Sequence, residues 1–331
     1  AILTRQIIDR GFVNQYGINL TYKLFPGELS SSMLAGLICS AQTGVGPGTV
    51  QDYAARHSMY PINTFKTRDK DIYKTDTKTG EKTYLKTITV PGFKDIKERY
   101  DDSFWNGVTV EMYREYGNVD AGTANLIYGV PEVLSFSLLY YREDIFDKYN
   151  LTIPNVWDDY YTYIPTLQKY NMQAEAPQAG VMIYQYGGLM YKYDNSRQAN
   201  ARASNIDSDL YLKLFDKQNA FYTEYKCPIT MDGHSRFRTG EVPMIIGTLS
   251  TWKNLYAQAP EIRGLWKFHI LPGVEQEDGT VNREQIPTVT YSAIYAAGAN
   301  HDGAWEFIQW FNDYECSNEF GREVEALIGQ V

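Results

Sequence analysis

Hydrophobic and polar positions alternate with two different periods along this chain, and the changes of period predict its first elements. Residues 7–16 follow a helical period, and Gly17 can end that helix. Residues 18–24 then alternate apolar and polar side chains, which predicts a strand. Residues 30–40 return to helical spacing behind capping serines. An opening of helix, strand and helix is typical of an α/β fold with parallel sheets.

The next hundred residues are less regular. Residues 42–50, QTGVGPGTV, read as a glycine-rich loop. Residues 66–89 are polar and charged, and they predict a hairpin that turns at Thr79 and Gly80. A short helix is expected over 93–100, and residues 101–125 are expected to be irregular.

Beyond residue 130, buried strands and amphipathic helices alternate, which again favours an α/β class with largely parallel sheets. The patterns predict strands over 134–141, 181–186, 242–246, 268–271 and 288–297. They predict helices over 143–149, 157–170, 207–225 and 302–311.

Length and charge limit the possible functions. A chain of 331 residues exceeds the size at which one core stops growing, so two domains are expected. The net charge is −9 and no basic block occurs, which argues against nucleic-acid binding. The sequence has no polybasic stretch of the kind that binds anionic lipid. It also has no apolar run long enough to span a bilayer.

The sequence matches none of the common catalytic or metal-binding motifs. None of the four His residues has the spacing of a zinc site, and no GxSxG element occurs. The glycines at 44–48 lack the Gly-Lys-Ser/Thr of a phosphate loop. The three Cys residues form no CxxC pair, so buried thiols are expected. Glu132, at the entry of a buried strand, could either orient a ligand hydroxyl or anchor a turn.

Aromatic residues are the remaining signal, since Tyr, Trp and Phe make up 15% of the chain. Sugar rings stack on aromatic planes, and ligands of α/β proteins collect beyond the carboxyl ends of strands. Taken alone, each aromatic side chain is more typical of a core residue, and only the set together suggests a binding site. Those that fall near strand ends are Trp105, Trp157, Tyr184, Tyr186, Trp252, Trp266 and Tyr291.

The stretch YGVPEVLSFSLLYYRED at 128–144 resembles the family 1 extracellular solute-binding proteins of the maltose-binding type. Further segments resemble that family in the same order: VWDD at 156–159, MIYQYGG at 182–188, FRTGEVPMIIG at 237–247 and AWEFIQWF at 304–311. The resemblance covers 128–329 well and 7–60 weakly. Near residue 48 the family's Asp is absent.

The resemblance implies a periplasmic-binding-protein-like (type II) α/β fold, a two-lobed Venus-flytrap with hinge crossovers near 131–135 and 288–291. We expect an N-terminal lobe of 1–131 plus 292–313, and a C-terminal lobe of 132–291 plus 314–331. The family pattern begins earlier and extends further than this chain, so we expect the chain to be truncated at both ends.

The resemblance also implies a function. The expected protein is an extracellular solute-binding protein, a monomer tethered to the cell surface as a lipoprotein or held in the periplasm. It would capture a carbohydrate, expected to be an oligosaccharide, and deliver it to the membrane permease of an ABC transporter. No cofactor, metal or catalytic residue is expected.

Candidate ligand-binding residues follow from the resemblance, and Trp157 is expected to be core instead. Trp252 follows a strand where the family places a stacking Trp. The full set is Trp105, Glu132, Ser135, Tyr184, Tyr186, Trp252, Tyr291 and Ser292. Two alternatives remain open: a sensor with the same fold and no transport role, and a glycan-active enzyme, which would need carboxylates or a Tyr/His group converging on the ligand.

Overall fold

The computed structural model describes residues 2–23, 39–76, 78–115, 118–176, 179–188, 191–193 and 202–328. Helix α1 runs over Ile2–Ile8, continues as a π-helical turn over Asp9–Val13 and ends in Asn14–Tyr16. The other helices are α2 Pro47–Ala55, α3 Phe93–Lys97, α4 Asp102–Asn106, α5 Glu143–Tyr149, α6 Trp157–Gln168, α7 Ala179–Gln185, α8 Asp209–Thr223, α9 Gly233–Thr239, α10 Leu249–Gln258, α11 His301–Phe311 and α12 Tyr314–Ile328.

Fourteen strands are described, most of them short. They are β1 Ala41–Val45, β2 Arg68–Thr75, β3 Lys82–Val90, β4 Thr109–Glu115, β5 Asn118–Ile127, β6 Gly129–Ser135, β7 Leu138–Arg142, β8 Tyr191–Tyr193, β9 Arg202–Ser204, β10 Met244–Gly247, β11 Trp266–Ile270, β12 Val274–Glu275, β13 Val281–Asn282 and β14 Thr288–Ile294.

The chain forms two compact units. Unit 1 comprises Ala1–Leu134 and Val289–Val331, and unit 2 comprises Ser135–Thr288. The residues 314–331, which we expected in the C-terminal lobe, belong to unit 1. The reason is packing: Cys316 is buried in the core of unit 1, and Arg10 pairs with Glu319 and Glu323 across α1 and α12.

Unit 1 is built on the three-stranded sheet β1–β14–β6 and two hairpins, β2–β3 and β4–β5. Its main core packs α1 against α11, and Phe12 meets the ring of Phe307 edge-on at 5.4 Å. Gly11 permits this approach, since a Cβ there would lie 2.6 Å from the ring of Trp310. A second cluster surrounds Tyr291 of β14 and Tyr295, which directly follows that strand.

Unit 2 is built on the sheet β10–β7–β11, in which β7 is central. Alternate residues of β7 face opposite sides. Leu139 belongs to the cluster that includes the apolar face of α6, whereas Tyr140 packs with residues of α9 and α10. Between β6 and β7, the backbone N–H of Ser137 donates to the side-chain oxygen of Gln285 at 2.7 Å, and the Gln285 amide donates back to the Ser137 carbonyl at 3.1 Å.

Several sequence predictions are confirmed. The hairpin of 66–89 exists as β2–β3, with Gly80 in the left-handed region at φ +74°. The helices predicted over 93–100, 143–149, 157–170, 207–225 and 302–311 are present with slightly different ends.

Other predictions are wrong for local reasons. Residues 18–23 form no strand, Leu24 and the helix predicted from residue 30 fall in 24–38, outside the described residues, and residues 39 and 40 are not helical. The glycine-rich loop is strand β1 followed by α2, in which Pro47 occupies the first turn. Residues 101–125 contain α4 and most of the β4–β5 hairpin. Residues 181–185 of the predicted strand 181–186 are helical in α7, and Tyr186 follows that helix, because an apolar stretch of that length fits either element.

The expectation of largely parallel sheets is also wrong: every strand pair whose register the structure describes is antiparallel. The predicted strand over 134–141 divides into β6 and β7 at residues 136 and 137. Strand β7 pairs with β10 and β11, which lie about a hundred residues away in sequence. A pattern that shows only alternation cannot reveal which distant strands become neighbours.

Candidate functional site

Three strands of unit 1 meet at the carboxylate of Glu132. Its Oε2 atom accepts a hydrogen bond from the backbone N–H of Gly44 at 2.7 Å and another from the hydroxyl of Ser292 at 3.0 Å. Glu132 lies on β6, Gly44 on β1 and Ser292 on β14, so one side chain links all three strands of the sheet. Among the described residues both bonds fall on Oε2, which leaves Oε1 available to another donor.

The environment of Glu132 opposes its charge. Burial raises the pKa of this carboxyl, while the hydrogen bonds from Gly44 and Ser292 act in the opposite direction without cancelling the effect. Leu134, two residues further along β6, is the last residue of unit 1 in that segment. A carboxylate with a shifted pKa beside a chain crossing is a candidate ligand contact.

Two other sequence-predicted residues are core side chains. Trp105 is 2% exposed, and its indole N–H donates to the carbonyl of Lys97 at 3.3 Å. Tyr291 is also 2% exposed, and its hydroxyl donates to the carbonyl of Phe104 at 2.7 Å. Because their rings pack inside unit 1 and their polar atoms have partners, neither presents a surface to a ligand in this structure.

The candidates of unit 2 lie on separate elements. Tyr184 is in α7, and Tyr186 follows that helix with its hydroxyl 3.0 Å from the ammonium of Lys217. Trp252 is half-buried on α10 and stacks on Tyr256 with ring centroids 5.8 Å apart. Ser135 is the first residue of unit 2 and ends β6. Within unit 1, the structure brings Glu132 and Ser292 together.

The family-like motif Tyr-Arg-x-Asp has a structural role in unit 2. Arg142 is 7% exposed and forms a two-pronged pair with Asp144, at 2.8 and 2.7 Å. A third nitrogen donates to the carbonyls of Phe237 and Arg238, at 3.1 Å each, in the last turn of α9. The motif therefore connects β7 to the last turn of α9, where the FRTGEVPM segment begins. Trp157 is confirmed as core, at 1% exposed.

Sequence reasoning missed Gly44. Its N–H is the donor that holds Glu132, and its φ of +71° is a conformation that favours glycine. The repeated glycines at 44–48 were the available signal, although they were interpreted as a loop. Among the described residues, no three His, Cys, Asp or Glu side chains are arranged to hold a metal ion. In the same part of the chain, no helix has both the length and the apolar character to cross a bilayer.

Several solved structures of binding proteins are similar in fold to this chain. The sugar-binding protein MalE from Xanthomonas citri has a TM-score of 0.67 and 15% identity, covering 100% of this chain and 76% of that one. An ABC transporter solute-binding protein from Thermotoga lettingae, bound with α-D-tagatose, has a TM-score of 0.64 and 16% identity over 97% of this chain and 76% of that one. A binding protein from B. animalis subsp. lactis, in complex with β-1,6-galactobiose, has a TM-score of 0.60 and 15% identity over 96% and 72%.

These similarities and the two α/β units define the fold class as the two-lobed, periplasmic-binding-protein-like type II, as the resemblance predicted. The family of bacterial extracellular solute-binding proteins matches residues 64–315, and the chain belongs to that family. A comparison with curated protein sequences found no match.

Proposed function

We propose that this protein captures an extracellular carbohydrate between its two units and delivers it to the membrane permease of an ABC transporter. The observation that carries the proposal is the carboxylate of Glu132, held by Gly44 and Ser292 with Oε1 available to accept from a sugar hydroxyl. Half-buried carboxylates with fixed geometry suit hydroxyl recognition, because an ionised acceptor strengthens the hydrogen bond.

The sugar class is supported by the chain's similarity to proteins solved with tagatose, maltotetraose, β-1,6-galactobiose and acarbose. The bound sugars differ in size, and an oligosaccharide fits the larger number of these cases. On this proposal Trp252 supplies a stacking face from unit 2, because its ring is only half-buried. Ser135, Tyr184 and Tyr186 are further proposed contacts.

The proposed location is outside the cell, at the membrane surface or in the periplasm, where the family operates. We propose a monomer that acts as a clamp: the ligand favours the state in which both units contact it, and the permease recognises that state. A sensor with the same fold would bind the same sugar without a permease, so reconstitution of transport with the permease separates these two roles.

A thermal-shift screen tests the binding step. The panel consists of tagatose, maltose, maltotetraose, β-1,6-galactobiose and acarbose, the ligands named for the similar structures. A ligand at one hundred times its Kd stabilises the folded protein by about 2.7 kcal/mol. Glu132→Ala and Trp252→Ala should each abolish the shift, whereas Glu277→Ala, an exposed carboxylate of unit 2, should retain it.

The absence of any shift with every sugar of the panel would contradict the carbohydrate proposal. The enzyme alternative predicts something different, namely a change in the sugar itself. Incubating the protein with the same oligosaccharides and analysing the products by chromatography should return them intact, and the release of shorter products would contradict a purely binding role.

A further inference from the structure

One part of unit 1 is exposed on both faces. Within the β2–β3 hairpin, every described side chain from residue 73 to residue 87 is solvent-exposed, and we call this segment the ribbon. Large apolar side chains are included: Tyr73 is 46% exposed, Tyr84 53% and Leu85 55%. A two-stranded hairpin exposed to water on both faces has little stability of its own, so a surface that covers these side chains would stabilise it.

The base of the hairpin, by contrast, is fixed to unit 1. Ile72 is 3% exposed and Val90 is fully buried. The Glu306 side chain of α11, 2% exposed, accepts from Arg68 at 2.7 Å and from Lys70 at 2.5 Å. Arg68 also pairs with Asp302 at 3.3 Å. Both cations therefore have carboxylate partners within unit 1, and the exposed segment beyond them starts from a fixed base.

The ribbon concentrates positive charge on an acidic protein. Four exposed lysines occur in it at every fourth residue, Lys74, Lys78, Lys82 and Lys86, and in the described part of the chain none of them forms an ion pair. The segment 66–90 has seven Lys or Arg residues and four Asp or Glu residues, against a net charge of −9 for the whole chain.

Two carboxylates of the β2–β3 hairpin, Asp76 in the ribbon and Asp71 just before it, accept hydrogen bonds from within the hairpin. Asp76 accepts from the backbone N–H groups of Lys78 and Thr79 in the turn, which lowers its pKa and keeps it ionised there. Asp71 accepts from the hydroxyl of Thr87, which in turn is bonded to that of Tyr84. The lysine ammonium groups are the part of the charge that points to an outside partner.

We propose that the ribbon docks on the anionic headgroups of a phospholipid bilayer. Tyr side chains favour the boundary between water and acyl chains, and lysines near an anionic leaflet each strengthen binding.

A lipid headgroup layer fits the ribbon better than a protein does. Tyr73 and Tyr84 are cross-strand partners with ring centroids 5.9 Å apart, so they share one face. Lys74, the next residue after Tyr73, points to the opposite face. Exposed groups thus lie on both sides, and headgroups can surround both sides at once, whereas a protein surface covers one. The sequence contains no contiguous polybasic stretch. The hairpin instead brings separate lysines together in one exposed segment.

Co-sedimentation of the full chain with vesicles tests the proposal. Vesicles of phosphatidylcholine with phosphatidylglycerol should bind the protein, vesicles of phosphatidylcholine alone should not, and added salt should weaken the binding. Lys74→Glu with Lys82→Glu should reduce affinity by at least about 25-fold, because each of the two removed cations costs about fivefold and each added carboxylate is repelled by the anionic headgroups. The matched control, Lys169→Glu with Lys253→Glu, changes the same charge at exposed positions of unit 2 and should bind like the unaltered chain.

A second variant separates the apolar contribution from charge. Tyr84→Ser with Leu85→Ser should weaken binding to the anionic vesicles while leaving the salt dependence unchanged. No sedimentation of the unaltered chain at low salt would overturn the proposal and favour an acidic protein as the partner, and so would equal losses in the ribbon and control variants. Sugar-induced thermal shifts should persist in the ribbon variants, so failure of this proposal is distinguishable from failure of sugar capture.

Discussion

Arg142 and Asp144 form a two-pronged ion pair on the border of β7 and α5, and the same guanidinium holds the end of α9. Burial alone would raise the pKa of Asp144, but the hydrogen bonds and charge of Arg142 hold it below the ordinary value. The pair therefore contributes stability above the unfolded carboxyl pKa of about 3.9, and this contribution is lost as the pH falls through the lower folded value.

Replacing Asp144 by Asn should destabilise the protein by about 3 kcal/mol, because it leaves a buried guanidinium without its counter-charge. The measurement is the free energy of unfolding in urea at neutral pH. Lys267→Gln is the matched control, since Lys267 pairs with Glu143 beside the same helix but is 60% exposed. Its cost should stay below about 1 kcal/mol, and an equal cost for both variants would contradict the role given to Arg142.

Glu306→Gln should loosen the base of the hairpin, since it removes the buried charge that Arg68 and Lys70 share. We expect a loss of about 2–3 kcal/mol in unfolding free energy and faster amide hydrogen exchange in β2 and β3. Asp302→Asn provides the comparison, because Asp302 contacts the same Arg68 at 3.3 Å yet is 68% exposed. Protection of the hairpin that is unchanged in Glu306→Gln would refute the anchoring.

Gly92→Ala should cost about 1–3 kcal/mol through overpacking. A Cβ at position 92 would lie 2.4 Å from the backbone nitrogen of Thr67, which cannot move aside as a flexible side chain could. Gly46→Ala is the control: both glycines precede the first turn of a helix at negative φ, and nothing lies within 4 Å of a Cβ at position 46. Thermal denaturation should shift the midpoint only in Gly92→Ala.

Sugar affinity should fall as the pH falls through the raised pKa of Glu132, because the protonated carboxyl is a weaker acceptor for a sugar hydroxyl. The fall should begin above the ordinary glutamate value of about 4.3. Glu132→Gln should bind more weakly at neutral pH and lose this pH dependence, as measured by calorimetric titration. A pH profile shared by both proteins would exclude Glu132 as its source.

The raised pKa of Glu132 also affects the folding stability of the free protein, and this effect has the opposite pH dependence to sugar affinity. Since the folded state holds the proton of Glu132 more tightly than the unfolded state, its contribution to stability is complete below the unfolded pKa. That contribution is lost as the pH rises through the folded value. Sugar binding and folding stability should therefore respond to acid in opposite directions at this residue.

The sequence predicted the fold class and half of the twelve described helices, among them the long helices α6, α8 and α11. An amphipathic period over ten or more residues has few alternative interpretations. It failed where the outcome depends on distant partners. Trp105 and Tyr291 resemble binding-site aromatics by their sequence position, yet both pack in the core of unit 1. Glu132 and Ser292 were predicted separately, but Gly44, the second donor to the Glu132 carboxylate, could be found only from the three-stranded sheet.

The two reciprocal hydrogen bonds between the Gln285 side chain and the Ser137 backbone restrict which residues can replace Gln285. One side chain supplies an acceptor to a backbone N–H and a donor to the carbonyl of the same residue, as a neighbouring strand would. Glu would turn an oxygen toward that carbonyl, and Met would leave both backbone groups without partners. Only a side-chain amide can both accept from the N–H and donate to the carbonyl of Ser137. Homologues should therefore have Gln at this position or, where the backbone lies closer, Asn.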